Sequence, residues 1–101
     1  MVKVSVHSVH FNADEKLITF IENKLNRLSR YLNRPLEAEV FLKLQDTGSA
    51  VKDKITEVKV HVPGGWMIDK KVDRTFEGAI TSSFETLKRQ IIRFKERKAD
   101  H

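Results

Sequence analysis

A chain of 101 residues suffices for one domain with a single modest core and is too short for two. Nineteen Lys and Arg against fourteen Asp and Glu give a net charge of +5 and a pI near 9.6, which favours anionic partners such as nucleic acid or an anionic membrane. The absence of cysteine excludes disulfides and thiolate chemistry, no apolar run reaches membrane-spanning length, and the charged, histidine-containing start does not resemble a signal peptide, so the expectation is one soluble, cytoplasmic domain over residues 1–101.

Val2, Val4 and Val6 alternate with Lys3, Ser5 and His7, the period of a half-buried strand rich in β-branched residues. Asn12 opens Asn-Ala-Asp-Glu, which predicts a first helix from near Ala13, capped by Asn12 with Glu15 at the capping-box position. Its apolar stripe is Leu17, Ile21, Leu25, Leu28 and Leu32, and Pro35 ends it by disfavouring helical geometry at Arg34. Phe20, Lys24, Arg27, Tyr31 and Arg34 step along the flank of that stripe and are expected to share one face.

From Leu36 the period becomes two, with Leu36, Ala38, Val40, Leu42 and Leu44 facing one way and Glu37, Glu39, Phe41 and Lys43 the other. A loop is predicted over residues 45–53. A third strand follows with Val58, Val60 and Val62 inward, and Pro63-Gly64-Gly65 has the chemistry of a tight hairpin. The fourth strand, residues 66–72, leaves its inward face open: Trp66 and Ile68 oppose Met67, and Asp69, Lys70 and Lys71 break both registers. Asp73 or Thr75 then caps a final helix over 76–98, in which Phe76, Ile80, Phe84, Leu87, Ile91 and Phe94 form one stripe at steps of four and three.

The order strand, helix, three strands, helix predicts an α+β fold: a β-α-β-β-β-α two-layer sandwich with a four-stranded mixed sheet and both helices on one face. The strand–helix–strand passage makes the first two strands parallel through a right-handed crossover, and the later hairpins antiparallel. The other sheet face is left to water.

The charge is not evenly spread. Residues 12–34 carry a net +2, residues 35–73 a net −1 and residues 74–101 a net +3, so the positive potential belongs to the helical layer. Either helix alone looks like an ordinary solvated surface, and cations in a last turn suit the helix dipole. Two such helices side by side, each with cations beside its buried stripe, point to a shared phosphate-binding groove. Its candidates are Lys24, Arg27, Arg30, Tyr31 and Arg34 on the first helix and Lys88, Arg89, Arg93, Lys95, Arg97 and Lys98 on the last.

The stretches HFNADEKLITFIENKLNRLSRYL, KITEVKVHVPGG, TFEGAI and LKRQIIRFKERK resemble the family of ribosome hibernation-promoting factors and ribosome-associated translation inhibitors, in order and over nearly the whole chain. The most specific parts are Ile21, Glu22, Lys24, Leu25, Leu28 and Tyr31, the hairpin from Val62 to Gly65, and Leu87, Arg89, Gln90 and Lys95. The resemblance implies the same order of elements. It also implies lodging in the decoding region of the small ribosomal subunit, over the messenger channel and tRNA sites, with basic helix faces against ribosomal RNA. Lys24, Arg27 and Tyr31 match the pattern of the family's first helix, and Arg89, Arg93 and Lys95 that of its second. Thr86 stands where the family usually has a lysine, with Lys88 as the candidate replacement, and Glu77 stands where an aromatic is common. On this likeness the partners are the small subunit and the whole ribosome. The end of the chain directly after the last helix is expected of the short type, which leaves ribosome pairing to a separate factor. The element order also resembles double-stranded RNA-binding domains, but Phe76-Glu77-Gly78-Ala79 puts an acid where duplex binding places lysines.

Other chemistry has little support in the sequence. His7, His10 and His61 lack a partner carboxylate or Cys pair, so no metal or other cofactor is expected. Gly64-Gly65 leads into a strand and offers no helix N-terminus to phosphate. Ser82 and Ser83 have no adjacent base, Asp14 with Glu15 suits a first helical turn, and Glu37 with Glu39 suits a wet strand face. Trp66 is expected to anchor the hairpin against the sheet. No enzyme and no small-molecule substrate are expected. The alternatives are a generic RNA-binding domain and a protein-interaction module that docks through the open sheet face with Phe41 and Trp66. Membrane attachment is disfavoured because the helices use their apolar faces for the core.

Overall fold

The computed structural model describes residues 2–45, 48 and 53–99, with the side chains of all of these but Lys98 and Ala99. Its elements are β1 (Val2–Ser8), α1 (Glu15–Asn26), α2 (Ser29–Leu32), β2 (Leu36–Gln45), β3 (Asp53–Val62), β4 (Gly65–Asp73) and α3 (Phe76–Ala99). The four strands form one sheet in the order β1-β2-β3-β4. β1 and β2 are parallel, with Val4 opposite Ala38. The β2–β3 and β3–β4 pairs are antiparallel, with Val40 opposite Val58 and Val60 opposite Met67. This is the predicted α+β sandwich.

Alternation decides which face each strand buries. Leu36, Ala38, Val40 and Leu42 of β2 and Val58, Val60 and Val62 of β3 are buried against Ile21, Leu25 and Leu28 from the first helical segment and Ile80, Phe84, Leu87 and Ile91 from α3. Leu44 extends past the helical layer and is exposed. Phe11, in the passage from β1 to α1, stacks on Phe76 at 5.4 Å and closes the core at the start of α3. The backbone N–H of Val2 donates to Asn26 Oδ1 at 2.8 Å, tying the start of β1 to the end of α1.

Local detail departs from the sequence reading in three places. The first helix starts later: Asp14, not Asn12, is its cap, accepting from the Leu17 N–H at 2.8 Å. The helix is also not continuous along its predicted stripe to Leu32. After Asn26 the backbone tightens into bonds such as Leu28 N–H to Leu25 C=O at 3.0 Å, and the Ser29 hydroxyl donates to the Asn26 C=O at 2.9 Å. A four-residue α2 follows and ends in left-handed Asn33, φ 56°, so Pro35 is reached after the helix has already ended. The predicted loop is shorter, because Gln45 and Asp53 face each other as strand ends; between them only Gly48 is among the described residues.

The hairpin is as tight as its residues imply. Val62 faces Gly65, and Gly64 adopts φ 91°, a value that favours glycine. At the head of α3 Thr75 Oγ1 accepts from the Gly78 N–H at 3.0 Å, while Asp73 accepts from the Arg74 N–H at 2.6 Å. A Cβ on Gly78 would lie 2.6 Å from Asp73 Oδ2, so the cap closes over a residue without a side chain.

Candidate nucleic-acid interface

The interface candidates start from how α3 packs against α1, α2, β3 and β4. Lys24, in the last turn of α1, sets its ammonium 5.2 Å from the Phe84 ring of α3, and Lys88 of α3 sets its own 5.5 Å from the Tyr31 ring of α2. Each side of the seam thus gives a lysine to an aromatic of the other. The rings hold the lysine stems down while the heads remain partly exposed. Glu85 Oε2, at 3.9 Å, also faces Lys88.

Around the seam stand exposed guanidinium groups. Arg27 caps the C-terminus of α1, Arg30 lies on α2, and Arg89 is exposed on α3 beside Lys88. Lys95 is likewise exposed, one helical repeat beyond Lys88. None of Arg27, Arg30, Arg89 or Lys95 takes part in an ion pair among the described residues. These four side chains present a point charge and planar forks that are not ion-paired among the described residues, a suitable chemistry for phosphate.

The candidate residues do not all share one groove. Arg34 lies beyond the left-handed turn at Asn33 and lines a cleft with His61, Pro63 and Gly64 at the β3–β4 hairpin, away from the face expected for it with Lys24 and Tyr31. Arg93 and Arg97 face β4, where they line a cleft with Trp66, Met67, Ile68 and Gln90. The physical reason is the helical period: residues 88 and 95 repeat on the α1 side, whereas 90, 93 and 97 rotate toward the sheet edge. Lys98 continues α3, with its side chain outside the described residues. Cations thus flank both sides of the last half of α3.

The open sheet face resolves the β4 register. Met67 packs toward the core, while Trp66, Ile68 and Val72 are exposed by 51%, 54% and 54%. Trp66 therefore does not anchor the hairpin on the core; its ring leans on His61 of the neighbouring strand at 4.7 Å. Alternation puts Asp69 and Lys71 on the helical side, where they satisfy each other at 2.8 Å. On the same open face Phe41 carries His7 at 4.9 Å and the Lys59 ammonium at 5.3 Å. His7 thus faces Phe41 and Glu39, and His61 faces Trp66. The sequence does not show Trp66, Met67 and Ile68 as neighbours of Arg93 and Arg97, because the strand and the helix are distant in sequence and the strand register carries no clear signal.

Residues 4–99 match the family described as Sigma 54 modulation protein / S30EA ribosomal protein. A curated relative from Deinococcus radiodurans, a ribosome hibernation promotion factor, is 31% identical over 83 residues, 82% of this chain and 44% of the relative. The chain therefore spans less than half the length of that relative. Among solved structures, the N-terminal domain of Protein Y from Thermus thermophilus superposes with a TM-score of 0.80 at 29% identity, covering 93% of this chain and 99% of that one. A ribosomal subunit interface protein from Coxiella burnetii shares the fold, with a TM-score of 0.75 at 15% identity over 95% of this chain and 99% of the other.

Proposed function

Since the chain belongs to the Sigma 54 modulation protein / S30EA ribosomal protein family, we propose that it is a cytoplasmic ribosome hibernation factor that silences translation by occupying the decoding region of the small subunit. The observation that carries this reading is the doubly bridged helix seam, with Lys24 and Lys88 anchored on Phe84 and Tyr31 and unneutralised Arg27, Arg30 and Arg89 around it. Pre-positioned cations on a rigid helical layer suit the phosphates of structured RNA, and occupancy of the messenger channel and tRNA sites requires no bond to be made or broken. The name of the Deinococcus relative supports a ribosomal partner.

Co-sedimentation tests the proposal. The protein is expected with small subunits and whole ribosomes, with affinity falling steeply as salt rises, because each phosphate contact releases counterions. Binding only to large subunits overturns the reading.

A second reading, docking of a protein partner on the open sheet face, has one observation in its favour: the exposure of Trp66, Ile68 and Val72 together. Affinity through that apolar surface is expected to be nearly independent of salt, which separates it from the first.

A further inference from the structure

The hairpin turn fixes which backbone groups of β4 point away from the sheet. Only Pro63 and Gly64 stand between Val62 and Gly65, which face each other, and a two-residue turn closes on a hydrogen-bonded pair. Bonded and non-bonded pairs then alternate along an antiparallel ladder. Val60–Met67, Val58–Asp69 and Thr56–Lys71 are therefore bonded pairs, whereas His61–Trp66, Lys59–Ile68, Glu57–Lys70 and Ile55–Val72 are not. In the second set the β4 residue turns its N–H and C=O outward. β4 is the last strand of the sheet, and Trp66, Ile68, Lys70 and Val72 are all exposed.

Such an edge is a template for another strand, and its two sides define what that strand carries. On the open face the side chains of Trp66, Ile68 and Val72 are left in water, so apolar side chains that cover them stabilise the pairing. On the helical side residues 66–68 line a cleft with Gln90, Arg93 and Arg97 of α3. No carboxylate lines that cleft, and neither arginine is ion-paired among the described residues. The acids that β4 itself turns to this side are engaged, Asp69 with Lys71 at 2.8 Å and Asp73 with the Arg74 N–H at 2.6 Å. A second copy of this chain fits poorly: antiparallel pairing of two β4 strands sets both arginine-bearing helices on the same side of the junction, where like charges repel. Acidic side chains at alternate positions have the complementary sign.

We propose that the free edge of β4 takes an extended acidic segment of a partner protein as an added strand, antiparallel to β4. Its apolar side chains cover Trp66, Ile68 and Val72, and its acidic side chains, at alternate positions, face Arg93 and Arg97. The outward main-chain groups supply attraction common to any strand, and the two faces supply the sequence requirement. This differs from docking on the open sheet face, because here the partner's backbone joins the ladder. The edge lies on the β4 side of α3, across the helix from the Lys24–Phe84 and Lys88–Tyr31 seam, and the proposal does not rest on the RNA reading.

The probe is a fluorescein-labelled nine-residue peptide of alternating valine and glutamate, the length of β4. Its binding to the full 101-residue protein, followed by anisotropy, is expected to saturate. Amide hydrogen exchange read by NMR is expected to slow on binding at Trp66, Ile68, Lys70 and Val72, whereas Met67, Asp69 and Lys71, bonded to β3, are protected in the free protein as well. The same peptide N-methylated at its valines, whose N–H groups face β4 in this register, is expected to lose binding. A valine–lysine peptide is expected to bind more weakly. Arg93→Gln with Arg97→Gln is expected to cost the valine–glutamate peptide roughly 2- to 30-fold in affinity, the range for two exposed ion pairs, and to narrow its advantage over the valine–lysine peptide. Ile68→Pro removes one outward N–H and spares the β3 ladder, so it is expected to weaken binding. Circular dichroism verifies that each variant is folded, and the peptide controls need no variant. Failure to bind, unchanged exchange at the four outward amides, or equal binding of the N-methylated or valine–lysine peptide overturns the proposal. Concentration-dependent protection of those amides without peptide also overturns it, by assigning the edge to a second copy.

Discussion

The ammonium of Lys88 lies 5.5 Å from the centroid of the Tyr31 ring, and this contact joins the last helix to the short segment that follows α1. The pair is partly solvent-exposed, so its coupling is expected at about 0.5–1 kcal/mol. A double-mutant cycle with Lys88→Met and Tyr31→Leu, read by urea unfolding, measures it. Strict additivity would show that the contact does not tie the seam.

Charge on the outer face should act on binding and not on folding. Arg89 and Arg93 are exposed, whereas Leu87 and Ile91 beside them are fully buried. Arg89→Glu with Arg93→Glu is expected to weaken ribosome binding and to reduce its salt slope by about one per lost phosphate contact. Helical circular dichroism should be unchanged. Unaltered binding, or a matching loss of helix, contradicts the assignment.

Leu87 tests the core directly. It is fully buried, and together with Phe84 and Ile91 it forms the middle of the α3 stripe. Leu87→Ala is expected to cost roughly 2–5 kcal/mol, from lost burial and the cavity left behind. Denaturant unfolding measures this, and a change below about 1 kcal/mol would mean that the site collapses around the smaller side chain.

The cap of α3 is a single hydroxyl. Thr75 Oγ1 accepts from the Gly78 N–H at 3.0 Å, so Thr75→Ala is expected to cost about 1 kcal/mol. In a domain of this size that is a fall of about 4–8 °C in Tm. An unchanged Tm would mean that Asp73, which accepts from the Arg74 N–H at 2.6 Å, holds the helix start without help.

Two hydroxyls inside the sandwich work against it. Thr56 Oγ1 and Ser83 Oγ are buried with no hydrogen-bond partner among the described residues, and an unsatisfied buried polar group costs about 1–3 kcal/mol. Ser83→Ala removes one such group and improves helix propensity. It is expected to raise stability by roughly 1 kcal/mol, and a comparable loss in thermal unfolding would show that the hydroxyl is satisfied in solution.

The period-two runs around Val4, Val40 and Val58 and the helical stripe through Ile80, Leu87 and Ile91 appear in the structure with the faces they imply. In those segments burial repeats at one spacing over many residues, so the pattern is redundant. The cap of α1 is ambiguous in the sequence because Asn12 and Asp14 are both competent acceptors, and in the structure Asp14 takes the Leu17 N–H. The break after Asn26 was not visible because Leu28 and Leu32 continue the apolar stripe; the signal lay in Ser29, whose hydroxyl competes for the Asn26 carbonyl. β4 was undecided because exposed Ile68 and Val72 are as apolar as inward-facing Met67.

By itself the sequence determined the order of elements, the core and the concentration of positive charge in the helical layer, because local periodicity and net charge are properties of neighbouring residues. Only the tertiary structure decided how that charge is divided. Helix period and sheet register together send Lys24 and Lys88 to aromatic partners in the seam, and Arg34 to the hairpin end. They turn Arg93 and Arg97 to the β4 edge and leave Trp66 on the open face beside His61. Those partners are separated by tens of residues along the chain, and packing of α3 across the sheet is the physical event that brings them together.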